Sequence, residues 1–169
     1  MAQTDIRIRR RQALDDLNAA CGLKINHAWL GYANALFLEC GKLTAPQERQ
    51  NNPKGQVTFM LDCRWRVMNK YSVDFGCDNS DRIIENRVLK LIGTVVESID
   101  LSSGMPELSI GLSSGRNIET FQSYKGSPEW SVGFYDVTLV EMEQRWTELA
   151  SSMWISFSDK SFLRSYCYD

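Results

Sequence analysis

The strongest constraint on the fold is a regular alternation of apolar and polar residues from Gln56 to Val67. In this segment, QVTFMLDCRWRV, apolar side chains occupy every second position and Met60 alone breaks the pattern. A period of two held over this length places one face of a strand on a core and the other in water, as in an antiparallel sheet. The sequence therefore predicts one long strand, which begins after a turn at Asn52 to Gly55.

The rest of the chain continues this strand-rich pattern, with helices at intervals. Alternation and turn residues predict further strands at 35–40, 71–75, 94–101, 107–112, 117–121, 130–134 and 154–157. Helical spacing of apolar residues predicts helices over 4–20, 81–91 and 138–153, with Ser80 capping the second and a capping box of Thr138 and Glu141 opening the third. The predicted fold class is α+β with mostly antiparallel sheet.

The two halves of the chain share an order of anchor residues. Cys21-Gly22 matches Ile92-Gly93, LFLECG at 36–41 matches IGLSSG at 110–115, and Trp65 matches Trp130. This order predicts an internal duplication, with strand-rich copies at about 17–91 and 92–153, each followed by a helix, behind an N-terminal helix. The length of 169 residues fits a single domain over 1–169. Whether the copies form one sheet or two stays open at this point.

Cysteines and apolar segments bear on metal binding and on location. Five widely spaced cysteines with no CxxC pair, and one histidine, do not favour a zinc site or any other cofactor. Cys40 and Cys63 fall in apolar strand patterns, which predicts buried thiols. The basic start has no apolar stretch behind it, and no segment approaches the roughly 20 apolar residues that span a bilayer. The sequence therefore predicts a cytosolic protein without membrane association.

The two signs of charge are unevenly placed along the chain. Residues 1–73 carry a balance of +5 and residues 74–148 a balance of −7, although the whole chain carries only −2. An acidic second half favours a basic protein partner and repels nucleic acid, while a solvated acidic face without a partner is an equal alternative. The candidate contact residues are acids near predicted loops and strand ends: Asp78, Asp81, Glu85, Asp100, Glu107 and Glu119.

No catalytic motif accompanies these acids, so the sequence predicts a protein that is not an enzyme. His27 is the only histidine and has no Ser, Cys or Asp at motif spacing, which favours a surface or packing role. The acids Asp74, Asp78, Asp81 and Glu85 are a weak candidate for a cation site. The arginines at 7 and 9–11 are better explained as a solvated helix face, or by pairing with Asp15 and Asp16, than as phosphate contacts.

The aromatic residues divide into two groups. Trp65 and Trp130 lie on apolar faces and are predicted core anchors. The final stretch, which contains Trp154, Phe162, Tyr166 and Tyr168, fits a packed terminal strand and an exposed aromatic patch equally well. Trp154 and Tyr166 therefore join the candidate contact residues.

The segments LFLECG…TFMLDCRWRV and LIGTVVESIDL…LSIGLSSG…EW resemble those of small bacterial immunity proteins, which are encoded beside polymorphic or contact-dependent growth-inhibition toxins. The similarity covers most of residues 17–135 and rests on apolar patterns, glycines and tryptophans, so it transfers no binding residue. It implies a protein that binds and blocks the C-terminal domain of a cognate toxin, often a nuclease. Three alternatives stay open: an adaptor for another cellular protein, an enzyme with a pair of distant carboxylates, and nucleic-acid binding through the arginines.

Overall fold

A computed structural model of the chain describes residues 2–46, 51–62, 64–105, 107–122, 130–135, 152–158 and 161–168. Within them lie two α-helices, α1 (Arg10–Leu17) and α2 (Asp81–Val88), each extended by a 3-10 turn, Asn18–Ala20 and Leu89–Leu91. A third 3-10 turn is Tyr32–Asn34. The strands are β1 (Ala2–Ile8), β2 (Ile25–Leu30), β3 (Leu36–Cys40), β4 (Val57–Leu61), β5 (Arg64–Met68), β6 (Val73–Gly76), β7 (Val96–Leu101), β8 (Leu108–Leu112), β9 (Asn117–Phe121), β10 (Trp130–Phe134), β11 (Ser152–Ser158) and β12 (Ser161–Tyr168).

The strands form two antiparallel sheets. The seven-stranded sheet has the order β1-β12-β11-β10-β4-β3-β2, and the five-stranded sheet has the order β6-β5-β9-β8-β7. This confirms the predicted α+β class with mostly antiparallel pairing. The strands form two sheets, and each of the two predicted copies contributes strands to both.

The prediction of one long strand over residues 56–67 is wrong. β4 pairs with β3 and β10 in the seven-stranded sheet, whereas β5 pairs with β6 and β9 in the five-stranded sheet. The chain therefore passes from one sheet to the other between Leu61 and Arg64. Both strands bury the same parity of residues, with Leu61 and Trp65 fully buried, so the alternation continues across the break and hides it.

The order of elements in the two halves is similar. In each half a helix, a 3-10 turn, a glycine with positive φ and a strand follow one another, with Gly22 at φ 89° and Gly93 at φ 91°. The two junctions pair with each other, because Gly22 N donates to Val96 O and Gly93 N donates to Ile25 O, both at 2.8 Å. The duplication itself stays a prediction, and the matched order of elements is compatible with it.

The buried residues of both sheets and both helices form one connected apolar core. Trp65 and Trp130 lie within it, which confirms their prediction as core anchors. The predicted helical stripe of Ile84, Val88 and Leu91 is also buried. Cys40 is buried as predicted, while Cys63 lies outside the described residues.

The predicted N-terminal helix over residues 4–20 is wrong in its first part. Residues 2–8 form β1, which pairs with β12, and α1 begins only at Arg10. Ile6 and Ile8 alternate with charged residues and pair with Arg164 and Phe162, so contacts distant in sequence decide this segment. Asp16 pairs with Arg164 and not with the N-terminal arginines, so the predicted local pairing of Asp16 is also wrong.

Residues 152–158 and 161–168, which the structure describes near the C-terminus, form two strands. The predicted helix over 138–153 lies mostly outside the described residues, and its last two positions belong to β11. The predicted strand at 154–157 is confirmed within β11, and the packed terminal strand, one of two alternatives for the final aromatic stretch, is observed as β12. Phe162 and Tyr166 are buried, so β12 packs these rings on the core and does not expose them.

Gly55, which lies two residues before β4, packs closely against β3. A Cβ on Gly55 would lie 2.5 Å from the carbonyl oxygen and 2.6 Å from the nitrogen of Cys40, both of which are backbone atoms with little room to move. We expect Gly55→Ala to lower the free energy of unfolding by about 2 kcal/mol, as overpacking does. Urea titration measures this.

The matched control is Gly104→Ala, because a Cβ at Gly104 would meet nothing within 4 Å. We expect that variant to unfold at a urea concentration close to that of the parent chain. Equal losses of stability in the two variants would contradict the close approach of Gly55 to Cys40.

Candidate protein-interaction site

The structure distributes the predicted contact residues over three places. Asp78, Asp81 and Glu85 lie together at the turn after β6 and on α2. Asp100 lies on β7, Glu107 just before β8 and Glu119 on β9, all in the five-stranded sheet. Trp154 and Tyr166 lie on β11 and β12 of the seven-stranded sheet. Only the first three residues therefore form a local group.

Arginines neutralise some of the predicted acids. Asp78 pairs with Arg64, and Glu119 pairs with Arg66 at 2.9 Å. By contrast, four predicted acids have no ion pair with another described residue: Asp81, Glu85, Asp100 and Glu107. The predicted acids that have no ion pair with a described residue therefore lie on α2, near the end of β7 and just before β8.

Helix α2 holds two of these acids on its outer face. Ile84 and Val88 turn inward, which leaves Asp81 and Glu85, one helical turn apart, exposed to water. Asp81 lies in the first turn, where its charge complements the helix dipole. Ser80 is the N-cap residue as predicted, but its side chain makes no capping hydrogen bond.

The same helix also carries basic residues. A surface groove of about 480 Å³ is lined by Ser80, Arg82, Ile83, Asn86, Arg87 and Lys90. The side chain of Arg87 pairs with Asp74, which also binds Arg116 at 3.2 Å. The helix therefore presents acids and bases to solvent side by side.

Sequence reasoning missed Glu97, a further exposed acid on β7. Val96 and Ile99 are both buried although they are three residues apart, because the register shifts between Val96 and Ser98. This bulge changes the parity of the strand and leaves both Glu97 and Asp100 exposed. A strict period of two would not have identified the pair.

Sequence reasoning also missed Tyr32, which is 95% exposed in the loop between β2 and β3. Asn34 Nδ2 in this loop donates a hydrogen bond of 3.3 Å to the carbonyl oxygen of Cys77. The loop therefore lies beside the turn that carries Asp78. The turn-forming residues Gly31 and Asn34 were the available signal.

Trp154 and Tyr166 differ in accessibility. Tyr166 is only 1% exposed, so its ring has no surface to offer a partner and we remove it from the candidate contacts. Trp154 is half-buried, because its ring lies over Gly133 and meets the edge of Tyr135 with ring centroids 5.7 Å apart. Trp154 therefore keeps part of its surface accessible.

A small cleft on the five-stranded sheet contains a thiol and a carboxylate, the side chains that could take part in a reaction. It measures about 280 Å³ and is lined by Trp65, Arg66, Val73, Gly76, Cys77, Asp78, Asn79 and Phe121. Burial raises the pKa of the Cys77 thiol, so Cys77 is protonated near neutral pH and is not an activated nucleophile. Outside this cleft, His27 Nε2 donates a hydrogen bond of 3.0 Å to Asn52 Oδ1.

The weak candidate for a cation site does not form. The carboxylates of Asp74 and Asp78 turn to different arginines, Arg87 with Arg116 and Arg64 respectively. Within the described ranges, no group of three or more His, Cys, Asp or Glu side chains is placed to hold a metal ion. No helix in the part of the chain that the structure describes has the length and apolar character needed to cross a bilayer.

Comparison with known proteins found no family model, no curated protein and no solved structure that matches the chain. The resemblance to immunity proteins therefore stays a prediction, and the geometry above carries the functional argument.

Proposed function

We propose that this chain is a cytosolic immunity protein that binds a cognate bacterial toxin domain and blocks it by occlusion, without catalysis. The expected target is a basic nuclease domain. The proposal joins the resemblance seen in the sequence to the chemistry of the surface. It requires a stable scaffold and a complementary face, and no reactive group.

The observation that carries the proposal is the exposed pair Asp81 and Glu85 on α2, neither of which has an ion pair with a described residue. Two inward residues of the same helix, Ile84 and Val88, pack into the core and fix the backbone that carries the acids. A partner therefore meets these two carboxylates, with Arg82 between them, on a rigid element. Carboxylates that have no ion pair attract basic side chains of a partner and speed association with it.

Occlusion needs only that the toxin be held with its own active site covered. A nuclease must bind a polyanion, so its active-site face is basic, and an acidic protein competes for that face. Charge attraction brings the two proteins together quickly, and closer contacts then set how long the complex lasts.

The test of the proposal is to purify the tagged chain from cells that carry its gene, at moderate salt, and to identify any protein bound in a 1:1 ratio. We expect a basic domain whose nuclease activity is silent in the complex and returns when the complex is dissociated. A bound protein without toxic activity would favour the adaptor alternative and contradict the immunity proposal.

Reversing the charge of the two helix acids tests the role of α2. We expect Asp81→Lys combined with Glu85→Lys to slow association with the purified toxin domain at least about tenfold, because electrostatic steering is lost. The dependence of the association rate on salt should flatten in the same variant. Stopped-flow fluorescence measures both quantities.

The matched control carries the same change of net charge elsewhere, at the exposed acids Asp15 and Asp62. Asp15→Lys with Asp62→Lys should slow association much less. If both double variants slow it equally, only net charge matters and α2 is not part of the contact surface.

A further inference from the structure

The loop between β2 and β3, residues 31–35, has an unusual backbone. Ala33 has φ 53° and Asn34 has φ 63°, so two consecutive residues other than glycine adopt the left-handed conformation. Asn tolerates this conformation better than most residues, but alanine has no side-chain hydrogen bond to offset the cost. Such a backbone persists only where the surrounding structure holds it.

Four hydrogen bonds hold the loop. Gly31 N donates to Ala35 O at 2.8 Å and Ala35 N donates to Tyr32 O at 3.1 Å, which closes the turn. The indole of Trp65 donates to Asn34 O at 2.8 Å, and Asn34 Nδ2 donates to Cys77 O at 3.3 Å. Trp65 is buried in the other sheet, so the loop of one sheet is fixed to the interior of the next.

The tip of this fixed loop presents a large aromatic side chain to solvent. Tyr32 is 95% exposed, so its ring contributes little to the fold. Tyrosine is among the residues that most often anchor protein interfaces, and a fixed backbone lowers the entropy lost on binding. Sequestering this ring in a partner would therefore bury apolar area at low ordering cost.

The hydrogen bond from Asn34 to Cys77 brings the loop beside two exposed acids. Asp78 follows Cys77 directly, and Asp81 begins α2 three residues later. The carboxylate of Asp78 is 66% exposed although it pairs with Arg64, and Asp81 has no described ion pair. An aromatic ring with acids beside it complements an apolar pocket with lysine or arginine at its rim.

We propose that Tyr32 is the anchor residue by which this chain binds a basic protein domain. Its ring enters a pocket of the partner, and Asp81, which has no ion pair with a described residue, meets a basic side chain at the edge of that pocket. The inference rests on the proposed function, since the basic domain is the one proposed above. It adds the residue that sets the lifetime of the complex.

Site-specific photocrosslinking tests the surface before the partner is known. p-Benzoylphenylalanine is introduced at position 32 and, as the matched control, at position 71 in the full chain in cells that carry its gene. Tyr71 is 85% exposed, but it lies in the β5–β6 turn beside Lys70. We expect a crosslink from position 32 to a basic polypeptide and none from position 71.

The partner that the crosslink identifies is then produced on its own, without the crosslink, for the binding measurement. We expect Tyr32→Ala to weaken its affinity at least about tenfold, chiefly by faster dissociation, and Tyr71→Ala to change it less than about twofold. Neither substitution should alter the unfolding transition, since both rings are exposed. This separates loss of contact from loss of fold.

The outcomes distinguish this inference from the proposed function. Unchanged affinity of Tyr32→Ala for a basic toxin domain would overturn the anchor and leave the immunity proposal standing. A tenfold loss with a basic partner that has no toxic activity would support the anchor and overturn the immunity proposal. The absence of a crosslink from position 32, or a crosslink to a second copy of this chain, would overturn the anchor.

Discussion

Replacement of Asp16 by alanine is expected to cost about 3 kcal/mol of stability, because it leaves the partly buried guanidinium of Arg164 without its counter-ion. Asp16 is buried on α1, and its Oδ2 accepts a hydrogen bond of 3.0 Å from Nε of Arg164 on β12. The pair joins residues 148 positions apart and fixes the first helix to the last strand. Urea unfolding of Asp16→Ala against the parent chain measures the loss.

Two further variants separate the pair from its parts. Asp15→Ala, on the exposed side of the same helix, should change stability by less than about 0.5 kcal/mol. The double variant Asp16→Leu with Arg164→Leu should recover most of the loss, because an apolar pair avoids the desolvation of two charges. A double variant no more stable than Asp16→Ala would show that the cavity, not the unpaired charge, causes the loss.

The same residue predicts a dependence on pH. Desolvation by burial raises the pKa of Asp16 above its ordinary value, and Arg164 offsets this only in part. The folded chain therefore binds a proton at Asp16 more tightly than the unfolded chain does. The resulting stabilisation is complete below the ordinary pKa of aspartate and is lost as the pH rises through the raised value. The side chain of Asp16→Asn does not titrate. As the pH rises from the ordinary pKa of aspartate through the raised value, the free energy of unfolding of the parent chain should therefore fall relative to that of this variant.

Local alternation predicted most of the strands. It failed to predict strand ends and strand existence where pairing with a distant segment determines the structure. The predicted strands at 35–40, 107–112, 117–121 and 130–134 correspond to β3, β8, β9 and β10. In β8 and β9 the alternation of the sequence also matches the observed burial. The break between β4 and β5 left no trace, because a change of sheet need not change the parity of buried residues. β1 was missed, and β12 stayed one of two alternatives, for a related reason. Each is stabilised by the other, and neither has a long apolar alternation of its own.

The candidate site was predictable in charge and unpredictable in arrangement. Composition identified the acidic half, and Asp81 and Glu85 are exposed on α2. It could not show that Arg64 and Arg66, from the basic half, neutralise Asp78 and Glu119, because β5 enters the five-stranded sheet beside them. The position of Tyr32 depends on hydrogen bonds across the two sheets, which no local pattern encodes.

Glu39 is a further case, and it carries the largest expected effect. Alternation along β3 places Glu39 on the same face as Phe37, opposite Leu38, and therefore predicts that Glu39 is exposed. Glu39 is nevertheless fully buried. Its Oε2 accepts a bond of 2.9 Å from Gly55 N and another from the hydroxyl of Thr58. Its Oε1 accepts a bond of 3.3 Å from the indole of Trp29 and lies 3.9 Å from Nζ of Lys54. This one carboxylate therefore joins β2, β4 and the segment that precedes β4.

We expect Glu39→Ala to lower the free energy of unfolding by about 4 kcal/mol, because three donors lose their acceptor in a site that water does not reach. Glu39→Gln should cost less, about 2 kcal/mol. One oxygen still accepts hydrogen bonds, and the NH₂ group that replaces the other oxygen faces only the donors that contacted that oxygen. Urea titration gives both values. Hydrogen exchange should show that the amide of Gly55 loses protection first, because its only described acceptor is Glu39.

The control for Glu39 is Glu97→Ala, which removes an exposed glutamate from a strand and should change stability by less than about 0.5 kcal/mol. If Glu39→Gln were as stable as the parent chain, the carboxylate charge would not be needed by its four neighbours. The segment that precedes β4 would then be held by backbone pairing alone. The backbone nitrogen and the hydroxyl of Thr44 donate to the carbonyl oxygen of Lys54 at 2.8 and 3.2 Å. That result would mean that Thr44, and not Glu39, fixes the position of the segment.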